Sequence, residues 1–519
     1  MQRAEDGEKQ MRELEQIKSL LQKEEELTVY QEMEHCCESL EHQMDSRTYV
    51  SIEVERALMQ LLSREIMYDS YFLYLLWFAV KCFKKADYLE LFCELIASSE
   101  YMNPMNQKFA LYQVKAFLFR YPELESAKVK MLIAQLEQSI REYFLQVFSI
   151  KRRPLEQRNV GTVVVMTHGF LGENHPVSRS SLERCVALQK EMGMKVLLVS
   201  TGEDCTTENA IPLYHYEVRN HNEKFDGKQG YGFLGQEIEL YQPIKPADTL
   251  EGIRDLLEYI MDVNPEFVVY VGEQSFIADL VNDFCPVLAV STIFSVLQKT
   301  HTEFVMVGRT TTEEEKKQSY GKILETLFTF RLKGKKRDYS REELDIPRDK
   351  FVLAVVGTRL NADVTKEFLG AMEELVQEGC YLLFVGGFDL YEHWCGEMSW
   401  LQKNSKSLGM VDDVTGILGC ADLYVNPYRL GGGYSVAEAF DAGIPAVTIN
   451  YGDVAAAAGE AFWVADYEEM IQQIERYHRE REFYDAKKAE ATQRLAVLTC
   501  ETGGFTDAVR KMQESPRFY

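Results

Sequence analysis

The sequence predicts an all-helical N-terminal region followed by two doubly wound α/β domains in tandem. Three observations carry this. Residues 1–155 hold a single glycine, Gly7, among apolar residues spaced as on helices. From about residue 158, short β-branched runs end in glycine-containing loops and alternate with amphipathic helical stretches. After a polar stretch from Arg331 to Pro347, the same alternation begins again.

In the first zone, residues 1–155, Leu14, Ile17, Leu20 and Leu21 form a helical stripe. Leu58, Leu61, Leu62 and Ile66 repeat it, as do Val129, Leu132, Ile133 and Leu136. Pro104 and Pro122 mark breaks between helices. The longest apolar run, Tyr71 to Phe83, is too short to span a bilayer and reads as a buried helix. Such a region either stabilises its neighbour or serves as an acceptor-binding or oligomerising module.

The second zone, residues 156–330, offers strands at Val163 to Met166, Val196 to Val199, Phe267 to Val271 and Val287 to Val290. None alternates with polar residues, which marks strands buried on both faces of a parallel sheet. Helices from Ser181 to Met192 and from Leu250 to Val263 complete a βαβ layout. The third zone, residues 331–519, repeats it with strands at Phe351 to Val356, Leu382 to Val385, Leu423 to Val425 and Ala446 to Ile449, and closes with helix from Asp466 to Met512. Two such domains are expected to face a cleft where the C-terminal ends of both strand sets meet, an arrangement suited to a two-substrate enzyme. The basic run Lys333 to Arg337 is read as a solvated linker.

Composition narrows the function classes. With 46% hydrophobic and 27% charged residues the chain is ordinary globular material. A net charge of −25 argues against nucleic acid or an anionic membrane as partner. Eleven cysteines lie without CxxC or other metal spacing, and residues 1–26 lack the apolar core of a signal peptide. The expected location is therefore cytoplasmic, with no membrane span.

The chemistry concentrates between Leu408 and Glu460. There a strand runs through Asn426 and Pro427 into Gly431-Gly432-Gly433, and a helix begins near Tyr434. Consecutive glycines let backbone approach a ligand, and the following helix start presents amides and the positive end of its dipole, which suits a diphosphate. Ser435 offers a hydroxyl there, and Glu438 lies one turn further on, within reach of a ribose diol. Ala442 to Val447 follows at the spacing of a helix end and the next strand.

This stretch resembles the nucleotide-sugar half of GT-B glycosyltransferases of family 4. It also resembles the cytosolic protein-modifying transferases of the O-GlcNAc transferase and bacterial adhesin N-glycosyltransferase type. The resemblance implies that Glu438 holds the nucleotide ribose. Glu438 corresponds to the second acidic residue of the family 4 Glu-x7-Glu motif; the first would stand at 430, where this chain has Leu430, so the resemblance leaves retaining or inverting chemistry open. Gly357-Thr358-Arg359-Leu360 is similar to the family's Gly-Arg-Leu, which implies that Arg359 neutralises the diphosphate. The lysine usual five residues on is replaced by Val364, with Lys366 nearby but out of register.

On the acceptor side, the loop Thr167 to Pro176 follows the first strand and carries His168, Glu173 and His175. These are candidate bases, because an imidazole titrates near neutrality. Gly272 and Glu273, after the strand that ends at Val271, are expected to contribute to the same wall. No DxD pair stands where it would hold a metal against a diphosphate, so no metal or other cofactor is expected. The expected function is transfer of a sugar from a nucleotide sugar, UDP-linked, to a polypeptide. The alternatives are a GT-B-shaped scaffold subunit of a transferase complex and a nucleotide-sugar 2-epimerase.

Overall fold

The computed structural model describes residues 12–519 apart from 46–47, 64–67, 99–101, 208–209, 294, 327–328, 330 and 500–502. The chain divides into two compact units. One comprises Met1–Tyr270 with Ser275–Val287, the other Val271–Gln274 with Leu288–Tyr519.

The first unit begins with helices, among them Leu27–Asp45, Asp69–Phe83, Pro104–Arg120 and Ala127–Phe148. The helical stripes read from the sequence are buried at Leu14, Ile17, Leu20 and Leu21 and again at Val129, Leu132, Ile133 and Leu136. Ile66 lies outside the described residues. In Asp69–Phe83 the run Leu73 to Val80 is buried all round, as its unbroken apolarity requires. Asn103 and Ser126 cap the helices that follow them, each accepting a backbone amide three residues on.

Five strands follow: β1 (Asn159–Thr167), β2 (Lys195–Ser200), β3 (Gly227–Phe233), β4 (Gln236–Gln242) and β5 (Pro265–Val271). They lie in the order β3-β4-β2-β1-β5, parallel except for the β3–β4 hairpin. The sequence assigns no strand to that hairpin. Gly227, Gly230 and Gly232 weaken the strand signal of β3, and four of the seven residues of β4, Gln236, Glu237, Glu239 and Gln242, are polar types that strands do not favour. The N-terminal helices are tied to this sheet by polar contacts. Gln113 exchanges two hydrogen bonds with the backbone of Glu217 (2.8 and 2.7 Å), and Lys108 pairs with Asp204 at 2.7 Å.

The second unit carries β6 (Val287–Val290), β7 (Phe304–Val307) and β8 (Lys322–Glu325) as parallel neighbours. A separate six-stranded parallel sheet follows, made of β9 (Phe351–Gly357), β10 (Cys380–Gly386), β11 (Ser405–Ser407), β12 (Leu423–Asn426), β13 (Ala446–Ile449) and β14 (Trp463–Val464). Its order is β11-β10-β9-β12-β13-β14. Along β9, Val352, Ala354 and Val356 enter one core and Leu353 and Val355 the other. Burial on both faces is why the strand is apolar without alternation. Helices Lys366–Gln377, Gly433–Asp441 and Tyr467–Arg479 pack on these faces. The fold class is the expected one: an N-terminal helical region and two parallel-rich sheets clad in helices.

Candidate functional site

The glycine loop sits where β12 ends, beside the end of β9. Gly432 is the N-cap of the helix Gly433–Asp441, with φ of 101°, and no side chain caps that helix. A side chain on Gly432 would be strained by that φ, and a Cβ there would lie 2.9 Å from the guanidinium carbon of Arg429. A Cβ on Gly357, at the end of β9, would collide with Nη1 of the same guanidinium. The two glycine turns are therefore the roof over a buried arginine.

Arg429 is the residue that the sequence reading missed. Its guanidinium is 3% exposed. Nη2 donates to the Tyr424 hydroxyl at 2.8 Å and to Ser435 Oγ at 3.1 Å. Among the described residues the one carboxylate paired with it, Asp363, stands 3.4 Å away and is itself buried. Nε is buried without a hydrogen-bond partner. A guanidinium carries its charge at any pH of interest, so this loop has a cation fixed beneath its backbone. An arginine wedged between Pro427 and a triple glycine was the signal available in the sequence.

The other donor-side residues fall around this centre. Arg359 is exposed, and its Nη2 lies 3.4 Å from where a Cβ on Gly431 would stand. Ser435 is buried; its hydroxyl donates to the Gly432 carbonyl at 2.7 Å and meets the Tyr424 hydroxyl at 2.7 Å. It braces the loop from inside. Tyr434 donates to the Arg331 carbonyl at 2.9 Å, which lays the start of the basic segment beside this helix. Glu438 is half-buried one turn along the helix. Leu430 holds the loop by its backbone, since its carbonyl accepts the Asp453 amide at 2.7 Å. Asp453, 2% exposed, in turn accepts the amide of Ser295 at 2.9 Å.

The residues after β1 divide by exposure. His168 is buried, with the Tyr270 hydroxyl 2.7 and 2.8 Å from its ring nitrogens and Glu203 at 3.8 Å. His175 precedes the helix Pro176–Met192 and is half-buried, its Nδ1 3.3 Å from Ser178 Oγ. Burial lowers its pKa, which leaves the ring neutral and able to accept a proton at pH 7. Glu173 is exposed, and its amide donates to the Tyr231 hydroxyl at 3.3 Å.

Gly272 and Glu273 are used structurally. The Gly272 carbonyl accepts Gln298 Nε2 at 3.0 Å. The Glu273 carboxylate accepts the amides of Thr292 and Ile293 at 3.1 and 2.9 Å and a Ser291 hydroxyl at 3.3 Å. Burial raises its pKa, against those hydrogen bonds.

Glu203 is a second residue that the sequence reading missed. It is wholly buried at the end of β2 and accepts the amides of Phe276 and Ile277 (2.9 and 3.4 Å) and the Ser275 hydroxyl. Burial, reinforced by neighbouring Asp204 and opposed by Lys108, lifts its pKa to about 7. Among the described residues, one cluster has metal-ligand atoms within 4.8 Å of one another, Glu34, Glu38 and His215. His215 there stacks on Tyr214 and lies 3.3 Å from Glu38, so an ordinary surface hydrogen bond accounts for the grouping.

Residues 350–480 match the model of the family Glycosyl transferases group 1. Comparison with curated protein sequences gave no match. Among solved structures, the O-GlcNAc transferase of Thermobaculum terrenum is similar over 97% of this chain and 97% of its own, at 13% identity and a TM-score of 0.49. HepE of Anabaena, in complex with UDP, is similar over 68% of this chain and 100% of its own, at 10% identity and a TM-score of 0.47. The pneumococcal O-GlcNAc transferase GtfA, in complex with UDP and GlcNAc, is similar over 69% and 98%, at 8% identity and a TM-score of 0.43. Over residues 350–480, then, this chain resembles the group 1 glycosyl transferases, the GT-B class to which its motifs and its two parallel-rich sheets also point.

Proposed function

We propose that this protein is a glycosyltransferase that binds a UDP-linked sugar at the glycine loop and transfers the sugar to a polypeptide. The observation that carries the proposal is the guanidinium of Arg429 fixed beneath Gly432 and Gly357, with one carboxylate 3.4 Å away. A cation held under side-chain-free backbone stabilises a diphosphate and the charge that grows on it as the glycosyl bond breaks. Arg359 meets the same phosphates from the solvent side, and Glu438 holds the ribose hydroxyls. This set answers the diphosphate charge without a metal.

On the acceptor side, His175 is the better base of the two histidines. It is half-buried and held neutral, whereas His168 is enclosed by Tyr270 and Glu203. The N-terminal helices supply an accessory surface suited to a polypeptide acceptor or to self-association. The ten described cysteines are free thiols, and no described helix is long and apolar enough to cross a membrane; both agree with a cytoplasmic setting.

The test is incubation of the purified chain with UDP-glucose, UDP-galactose and UDP-GlcNAc. At least one should raise the thermal midpoint and release UDP slowly in the absence of acceptor. No shift and no release with any of them overturns the proposal. A second reading, a non-catalytic scaffold, is favoured by Leu430, which leaves the loop without a carboxylate near the transferred sugar. A scaffold would bind UDP-sugar without releasing UDP.

A further inference from the structure

Away from the glycine loop, the second unit carries a groove of about 860 Å³. One wall is β8 and the turn before it, Ser319 to Glu325. The other is formed by Lys511 and the residues Glu514 to Arg517. Strand β8 is the last in its row and, among the described strands, is hydrogen-bonded to β7 alone. The pairing is parallel, with Ile323 opposite Val305 and Leu324 opposite Met306. The amides of Lys322 and Thr326 donate to Glu303 and Val307 of the β7 side, at 2.8 and 2.9 Å. Backbone groups alternate sides along a strand, so the amides and carbonyls of Ile323 and Glu325 point the other way, off the edge. An edge of this kind is a template for another strand.

Charge selects the occupant. Lys316, Lys322, Lys511 and Arg517 line the groove, against the carboxylates Glu325 and Glu514. Lys316 is paired with Glu313 at 3.0 Å and lies 3.8 Å from Glu325, which also accepts the Thr311 amide at 2.9 Å, so Lys322 and Lys511 lead the cations set against Glu514. The local surplus is positive on a chain whose net charge is −25, so an acidic segment is drawn here and repelled by the protein at large. Tyr320, 58% exposed, adds an aromatic face at the mouth. We propose that β8 and the Lys511–Arg517 wall form a docking groove for an extended, acidic polypeptide segment, bound by strand addition. Main-chain pairing at Ile323 supplies the register, and Lys322 and Lys511 supply the sign preference.

The proposal is independent of the donor site, and its test uses fluorescence anisotropy. The probes are two fluorescein-labelled octapeptides, one alternating threonine with glutamate and one alternating threonine with lysine. The glutamate peptide should bind at least about tenfold more tightly, a difference of about 1.4 kcal/mol, and should weaken as salt is added. Ile323→Pro removes an amide that faces the groove and spares the pairing with β7, so it should abolish binding in a folded protein. The double change Lys322→Glu with Lys511→Glu should reverse the preference and needs no backbone change. Equal binding of the two peptides overturns the proposal, as does no binding of either, which would mean that the lysines only guard the edge. Full binding by folded Ile323→Pro, or a concentration-dependent dimer that the glutamate peptide does not dissociate, also overturns it.

Discussion

The end of β2 in the first unit and the end of β12 in the second are both rich in buried charge, yet their chemistry is opposite. At β2, Lys108 from a helix 96 residues earlier lies 2.7 Å from Asp204 and 3.6 Å from Asp248. Asp248 accepts three successive amides, of Asp204, Cys205 and Thr206, and Glu203 accepts two more. Every carboxylate there is answered from within the protein. At β12 a buried guanidinium has one carboxylate at 3.4 Å, a second arginine is exposed beside the loop, and the roof is glycine. The first arrangement is complete and holds helices to a sheet. The second sets a buried cation under side-chain-free backbone, and the proposed anion site rests on that feature.

The comparison can be broken at either end. The largest effect should come from Gly452→Ala. Gly452 has φ of +75°, and a Cβ there would collide with the carbonyls of Arg429 and Leu430. The substitution should cost at least about 3 kcal/mol in chemical denaturation, from backbone strain and a clash that no side chain can relieve. Lys108→Met comes next. It removes the cation shared by Asp204 and Asp248, leaving Asp204 to Arg219 at 3.6 Å and Asp248 to its three amides, and should cost about 3 kcal/mol, with protease sensitivity rising in the N-terminal helices.

Arg429→Lys should leave the fold cooperative and weaken UDP by about tenfold or more while uridine binding changes little, because an ammonium cannot span Tyr424, Ser435 and Asp363 together. Glu203 gives a smaller effect that depends on pH. Its folded pKa is raised from the ordinary 4.5 to about 7, so the folded state keeps the proton longer than the unfolded chain does. Its contribution is full below pH 4.5 and is lost as pH rises through 7. Glu203→Gln should flatten that decline in a series of thermal melts. Lys333→Ala, on an exposed position of the basic run, should change stability by no more than about 0.5 kcal/mol.

Most of the sheet framework was legible because both faces are buried: β1, β5 and β9 need unbroken apolar runs, and such runs are visible in the chain. The hairpin of β3 and β4 was not, since Gly230 and Gly232 carry no side chain to signal a strand. The glycine loop was legible as punctuation between a strand and a helix. Arg429 was not, because a charged residue reads as solvated until packing shows that two glycines were cleared to make room for it. The Glu203 network was invisible for another reason. Lys108, Glu203, Asp248 and Ser275 are far apart in the chain, and no local pattern records that they meet.

The central claim is that the loop of Arg429 and the helix bearing Glu438 hold a nucleoside diphosphate. Calorimetric titration of UDP into the wild-type chain and into Glu438→Ala tests it most directly. UDP should bind the wild-type chain at micromolar concentration, about −8 kcal/mol, and the variant about tenfold or more weakly, with the unliganded thermal midpoint unchanged. Absence of UDP binding to the wild-type chain, or equal binding by a folded Glu438→Ala variant, would contradict it.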